Sequence, residues 1–279
     1  EYVIGAQGAD VLILCEDDNN HQLTVLDGEP GHHHGAIKVT RRTMLDQTRS
    51  MSRVEMLPGQ RLNGYQAGKG SMAAAAANRA HQFSHIALAA EAVGAAQSCL
   101  DMTVDYVKER HQFGRAIGSF QAVKHQLADM MVDIEAARSA VYFSACSVSE
   151  NPAQLPEMAS LARVQASEAL SHCAAEMIQL HGGIGFTWEH DMHIYFKRAK
   201  GSEVTFGDAT WNQRNGLARA AFHDLRRTVF GSGRSGQSGP TGKRVGGAGE
   251  QLHRGHASFQ AVLPDVGIGI HPLGGQQIR

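Results

Sequence analysis

The sequence predicts an α+β fold: a partial small β domain followed by an antiparallel four-helix bundle, with a disordered C-terminal tail. Three observations carry this expectation. Short apolar runs separated by turn residues fill residues 1–62, as in a sheet domain. From about Ser71 the apolar spacing becomes helical and stays so to about Thr228. Beyond Phe230 no period remains.

The opening Glu1-Tyr2-Val3-Ile4 is strand-like and starts in mid-pattern, without a Met or a capping turn, as a cut chain would. Val11-Leu12-Ile13-Leu14 follows as a compact apolar run, closed by the turn-rich Glu16-Asp17-Asp18-Asn19-Asn20. Gln22 to Leu26 and Ala36 to Thr40 are the next strands, with Gly28, Pro30, Gly31 and Gly35 between them. These strands make half of a small β domain, and its open edge would be a liability if left unpaired. The polar, glycine-containing stretch Gln60 to Gly70 reads as a linker, and the boundary between the two domains is set at residues 63–71.

One helix is expected from Ser71 or Met72 to about Glu109. A second should run from about Phe120 to Glu150, with Leu127, Met130, Met131, Ile134, Ala137 and Val141 on one face. Asn151-Pro152 stops it, because the residue before proline resists the helical region. A third spans Pro156 to Leu180 and ends on glycines. The last, after a short connecting stretch, runs from about Asp208 to Thr228, so that the bundle occupies 72–228. Residues 229–279 are rich in glycine, glutamine and histidine and bury too little apolar surface to offset ordering entropy. Phe259 to Ile270 is too short to form a domain alone.

Net charge is -1, which gives no field for nucleic acid or an anionic membrane surface. No apolar run is long enough to span a bilayer. Cys15, Cys99, Cys146 and Cys173 are far apart in sequence, and three lie in apolar helical patterns, the ordinary setting of reduced thiols in a cytoplasmic protein. His81-Gln82-Phe83-Ser84-His85 puts two imidazoles on one helical face, yet Gln82 is no general base and no third metal ligand is evident, so no metal is expected. His32-His33-His34 and His190-x-x-His193 are better read as exposed loop histidines.

Two blocks remain. Arg110-His111-Gln112-Phe113-Gly114-Arg115-Ala116-Ile117-Gly118-Ser119-Phe120-Gln121 interrupts two long helical patterns with a cation, amides, aromatics and glycines. Such a turn suits a flat, phosphate-bearing ligand. A cation at a helix C-terminus is also favoured by the dipole alone. The second block, Gln179-Leu180-His181-Gly182-Gly183-Ile184-Gly185-Phe186-Thr187, lets the main chain approach a ribose or phosphate at Gly182 and Gly183. The pair serves equally as a helix C-cap, and both roles are compatible. It is not a Rossmann fingerprint, since a helix precedes it; nor is the Gly242-Lys243-Arg244 tail a P-loop.

The first block resembles R-x-x-F-G-x-x-(I/L)-x-x-x-Q, and the second Q-x-x-G-G-x-G-(F/Y), both of the acyl-CoA dehydrogenase family. Asp46-Gln47-Thr48-Arg49, Ala89 to Gln97, Ile134 to Arg138, and Thr187 to Asp191 with Tyr195 to Lys200 extend the resemblance over about residues 2–225. The family's N-terminal helical domain and the first half of its β domain have no counterpart in this sequence. The resemblance implies FAD as cofactor, with Arg110, Gln112, Phe113 and Gln121, and Gln179, His181, Gly182 and Gly183, gripping the adenosine and pyrophosphate side of a flavin held mainly by a neighbouring subunit. It also implies an acyl-CoA substrate in fatty acid β-oxidation, an electron-transfer flavoprotein or similar acceptor, and a homo- or hetero-oligomer, dimer or tetramer.

The implied reaction is α,β-dehydrogenation of an acyl-CoA thioester, which needs a carboxylate base in a dry cleft. The family's commonest base position falls on Phe206, before Gly207, and the alternative on Ser84; neither side chain removes a carbon-bound proton. Asp208 is the candidate base, although Asp at a helix start is also an N-cap. Glu203 is the other carboxylate nearby. Two further expectations follow: a catalytically silent subunit completing a partner's FAD site, or a truncated or frameshifted remnant.

Overall fold

The computed structural model describes residues 2–16, 21–27, 36–59 and 64–205. All of these lie in one compact unit, Glu1–Gly231. Four helices and small antiparallel sheets make up the described chain.

Six strands form two three-stranded sheets: β1 (Tyr2–Ile4), β2 (Val11–Glu16), β3 (Gln22–Asp27), β4 (Ile37–Arg42), β5 (Met51–Met56) and β6 (Tyr65–Lys69). One sheet has the order β1-β5-β4 and the other β2-β3-β6, every pair antiparallel. Alternate residues face inward, as the strand period requires. Leu26, Ile37 and Val54 are buried with Ala6, and Val3, Leu12, Leu14 and Val39 pack against them. The expected strands are all present. The stretch expected as a linker carries β6, which pairs with β3 through Val25↔Tyr65 and Gln22↔Lys69. A polar, glycine-bearing segment serves as an edge strand because its main chain supplies the bonds.

Helix α1 (Gly70–Glu109) runs for 40 residues, about 60 Å at 1.5 Å per residue. Its buried stripe is His85, Ala89, Ala92, Val93, Ala96, Cys99, Leu100, Thr103 and Val107, spaced at three and four residues. Helix α2 (Gln121–Ser147) returns antiparallel, burying Met130, Ile134 and Ala137. Helix α3 (Leu155–His181) packs against both and is buried on most sides, with Ala162, Ala166, Ala169 and Ala174 allowing close approach. Across α2 and α3, Gln126 donates to Glu176 at 2.9 Å and the His172 ring meets Asp133 at 2.8 Å. All four cysteines are free thiols; burial raises that of Cys99 and pushes that of Cys173 up to about 12.

Helix α4 (Met192–Val204) lies where only a connecting stretch was expected. It buries just Met192, Ala199 and Ser202, and Gly201 lies within it, so it lacks a clear apolar stripe. Side chains from α3 and from the β4–β5 connection hold it instead. The expected helix from Asp208 to Thr228 and the expected tail lie outside the described residues. Among the described residues no helix is long and apolar enough to cross a membrane.

Candidate functional site

At the end of α1 the chain reverses in a two-residue hairpin, β7 (His111–Gln112) with β8 (Arg115–Ala116). Phe113 and Gly114, at its tip, both have positive φ, 54° and 79°. That pair is the requirement of a type I′ turn, whose twist matches the flanking strands. The turn projects the Phe113 ring into solvent, 92% exposed, with only an edge contact to Phe120 at 6.2 Å. The Arg115 guanidinium lies over the other aromatic, Phe120, at 4.0 Å. Arg110 closes the base: its N–H donates to the Tyr106 carbonyl at 2.9 Å, and its own carbonyl accepts from Ile117 N–H at 2.8 Å. Gln121 is the first residue of α2 and is exposed.

The Gln179–Gly183 block ends α3. Gly182, at φ 63° and ψ -137°, takes a conformation open only to glycine, and its N–H caps the Gln179 carbonyl. A Cβ on Gly183 would meet nothing within 4 Å, whereas one on Gly185 would fall 2.7 Å from the Ile178 carbonyl oxygen. His181 is buried, with its Nδ1 2.7 Å from the Met177 carbonyl. Burial lowers its pKa, partly opposed by that hydrogen bond, and His190 adds to the lowering. Beyond the glycines, Phe186 and Trp188 are 78% and 83% exposed.

Tyr106 joins the two blocks. Its ring stacks on His181 with centroids 4.1 Å apart, and its hydroxyl donates to the His181 carbonyl at 3.3 Å. Tyr106 was not singled out in the sequence, although it stands one helical turn before Arg110. The hairpin and the glycine block are thus fastened to one end of the helices. No carboxylate is among Arg110, Gln112, Phe113, Gln121, Gln179, His181, Gly182 and Gly183, so the surface offers donors, open main chain and aromatic faces.

A second set of functional groups surrounds α4. Asp46, Thr48 and Arg49, from the β4–β5 connection, reach Glu91 on α1 and Arg198 and Ser202 on α4. Arg49 pairs with Glu91 at 2.5 Å and donates to the Ser202 hydroxyl at 2.9 Å. Arg198 pairs with Glu91, meets Asp46 at 3.3 Å and donates to the Thr48 hydroxyl at 2.5 Å. Burial alone would raise the Glu91 pKa, but hydrogen bonds from Arg198 and Arg49, with their charges, bring it below the usual value.

Asp208 and Phe206 lie outside the described residues. The Ser84 hydroxyl donates to the Ala80 carbonyl of its own helix at 2.9 Å. Glu203 is engaged by Lys200 at 2.8 Å and by the Ser171 hydroxyl at 2.5 Å. His81 and His85 lie 4.2 Å apart as rings, and His193 lies edge-on to Trp188. Among the described residues no group of three His, Cys, Asp or Glu side chains could hold a metal ion.

The profile of the family described as "Acyl-CoA dehydrogenase, C-terminal domain" matches residues 74–222. The chain therefore belongs to the acyl-CoA dehydrogenase family, whose members are FAD-dependent enzymes. Acyl-CoA dehydrogenase IpdE2 of Mycobacterium tuberculosis is 62% identical over 117 residues, 42% of this chain and 35% of that protein. IpdE2 of Mycolicibacterium smegmatis is 39% identical over 208 residues, 74% of this chain and 57% of that protein. The chain thus spans little more than half the length of these relatives at most. Among solved structures, a glutaryl-coenzyme A dehydrogenase with glutaryl-CoA superposes with TM-score 0.70 at 25% identity, covering 86% of this chain and 60% of that one. The ChsE4-ChsE5 complex of Mycobacterium tuberculosis gives 0.66 at 25% identity, covering 81% and 58%.

Proposed function

We propose that this chain forms part of an FAD-dependent acyl-CoA dehydrogenase acting in fatty acid β-oxidation, in the cytoplasm, and that it passes electrons to an electron-transfer flavoprotein or a similar acceptor. The Tyr106–His181 contact carries the reading, because it fastens the glycine block to the end of α1 from which the hairpin continues. The exposed Phe113 ring and the open space at Gly183 suit a flat adenosine and its pyrophosphate. Arg110, Gln112 and Gln121 supply donors for phosphate and ribose oxygens, with Gln179, His181 and Gly182 opposite. FAD, when bound, would accept the hydrogen leaving the substrate β carbon as hydride. Asp208 would remove the α proton as general base. The exposed grip fits a flavin shared across a subunit interface, in a dimer or tetramer, with α1, α2 and α3 serving as members of the antiparallel four-helix bundle.

A phenazine-linked assay of the flavin-loaded protein over a range of acyl-CoA thioesters tests this. Turnover that Asp208→Asn abolishes supports the reading, and a fully flavin-loaded protein that oxidises none of them overturns it.

One observation favours a second reading. Phe206 and Ser84 occupy both positions where a base is expected, while the adenosine-side residues are intact. The chain would then be a silent subunit completing its partner's FAD site, and the two-component ChsE4-ChsE5 complex is a structural neighbour. Co-expression with a second dehydrogenase subunit would yield a mixed particle that binds flavin; purification as a flavin-bound, active homo-oligomer would exclude it.

A further inference from the structure

Arg163 is the largest fully buried side chain among the described residues, 2% exposed in the first third of α3. It sits in the apolar run Leu161-Ala162-Arg163-Val164 and makes no ion pair with any of the described residues. Only one of its nitrogens is satisfied: Nη2 donates to the carbonyls of Ser202 and, at 3.3 Å, of Thr205. Nε and Nη1 have no partner among the described residues. Burial, joined by the charge of Arg49 and opposed by Glu91, lowers its pKa to about 10, so it stays cationic at neutral pH. A buried, incompletely bonded guanidinium is costly, and an apolar residue of similar volume would pack the position at lower cost. What the charge achieves is therefore to be sought at the two carbonyls.

Those carbonyls belong to the last turn of α4 and the residue after it, where a helix has unsatisfied acceptors and a negative dipole end. Arg163 grips them from α3. From the β4–β5 connection Arg49 holds the Ser202 hydroxyl at 2.9 Å, and Glu91 ties Arg49 to Arg198 of the same helix. Thr205 turns its own hydroxyl back to the Gly201 carbonyl at 2.7 Å. The point at which the chain leaves α4 is thus fixed by one helix and by one loop of the sheet domain. Residues 206–208 follow directly.

We infer that Arg163 is a positioning residue: it clamps the Ser202 and Thr205 carbonyls and so sets the place from which the chain presents the base to the substrate. This rests on the proposed dehydrogenase reading with Asp208 as base. Arg163 itself touches neither substrate nor flavin on this account. Displacement of a base by about 1 Å lowers turnover by roughly 10²-fold.

The test compares Arg163→Met and Arg163→Lys with wild type in the flavin-loaded protein, by steady-state kinetics and by amide hydrogen exchange at residues 201–205. Arg163→Met is expected to cut kcat by roughly 10²-fold, with KM and flavin content within about twofold, and Arg163→Lys to recover part of it. Exchange at 201–205 should quicken in Arg163→Met while the middle of α1 and α2 stays protected. Unchanged kcat in Arg163→Met, or exchange that rises equally throughout the helices, would overturn the clamp. If wild type shows no turnover, the dehydrogenase reading fails separately, and exchange at 201–205 still decides whether the clamp exists. If Arg163→Met does not fold, Arg163→Lys decides: faster exchange confined to 201–205 supports the clamp, and wild-type exchange there overturns it.

Discussion

The phenol ring of Tyr106 lies against the imidazole of His181, and its hydroxyl donates to the carbonyl that precedes Gly182. One residue of α1 thereby sets the height of the glycine block against the hairpin. Tyr106→Phe keeps the stacked ring and removes one hydrogen bond, so it is expected to cost about 1 kcal/mol. Tyr106→Ala removes both and should also weaken FAD binding. Urea denaturation and flavin titration of the two variants check this.

Gly183 and Gly185 separate ligand access from packing. A methyl group on Gly183 points into open space, so Gly183→Ala should leave folding stability within about 0.5 kcal/mol and still weaken FAD. Gly185→Ala drives a Cβ against the Ile178 carbonyl and should cost about 1–3 kcal/mol whether or not flavin is present. Equal effects of the two substitutions on stability would count against the assignment.

Phe113 keeps a positive φ that an aromatic residue adopts at a cost of roughly 1 kcal/mol. Phe113→Asn relieves part of that strain and gives up only an edge contact with Phe120. The variant should melt at or slightly above the wild-type temperature and bind FAD less tightly. Calorimetry of the apoprotein together with flavin titration is the measurement.

Glu91 titrates below its ordinary value of 4.5 in the folded chain. The stability it contributes is present above that value and is lost as pH falls through the lowered one. The urea midpoint should therefore drop as pH is taken down from about 5. Glu91→Gln should be less stable near neutrality and should flatten that slope. A wild-type midpoint that holds constant through this range would contradict the network.

The three long helices could be read in advance because their apolar residues recur at three and four positions, a property of each segment alone. Helix α4 could not. Its thirteen residues from Met192 to Val204 bury few side chains, and it is held by Arg49, Glu91 and Arg163, which stand far away in sequence. Strand β6 escaped notice for a related reason, since Tyr65–Lys69 is kept by main-chain bonds to β3. The two blocks, 110–121 and 179–187, stood out as local strings of unusual residues. Tyr106, which joins them, and Arg163, a lone cation in an apolar run, acquire meaning only once distant partners are placed beside them. Arg163 had left a signal in the sequence: a charged residue at a position the helical period assigns to the core.

The charges between the sheet loop and α4 alternate in sign, Asp46 to Arg198 to Glu91 to Arg49, and each is held by its neighbour. Losing Arg198 leaves Asp46 without its ion-pair partner, and losing Glu91 leaves Arg49 without its own. Substitution at a single position is thus penalised, whereas coordinated replacement is tolerated. Among descendants of a common ancestor these four positions should accordingly change as a set, leaving a joint signature across three stretches of sequence that share no local motif.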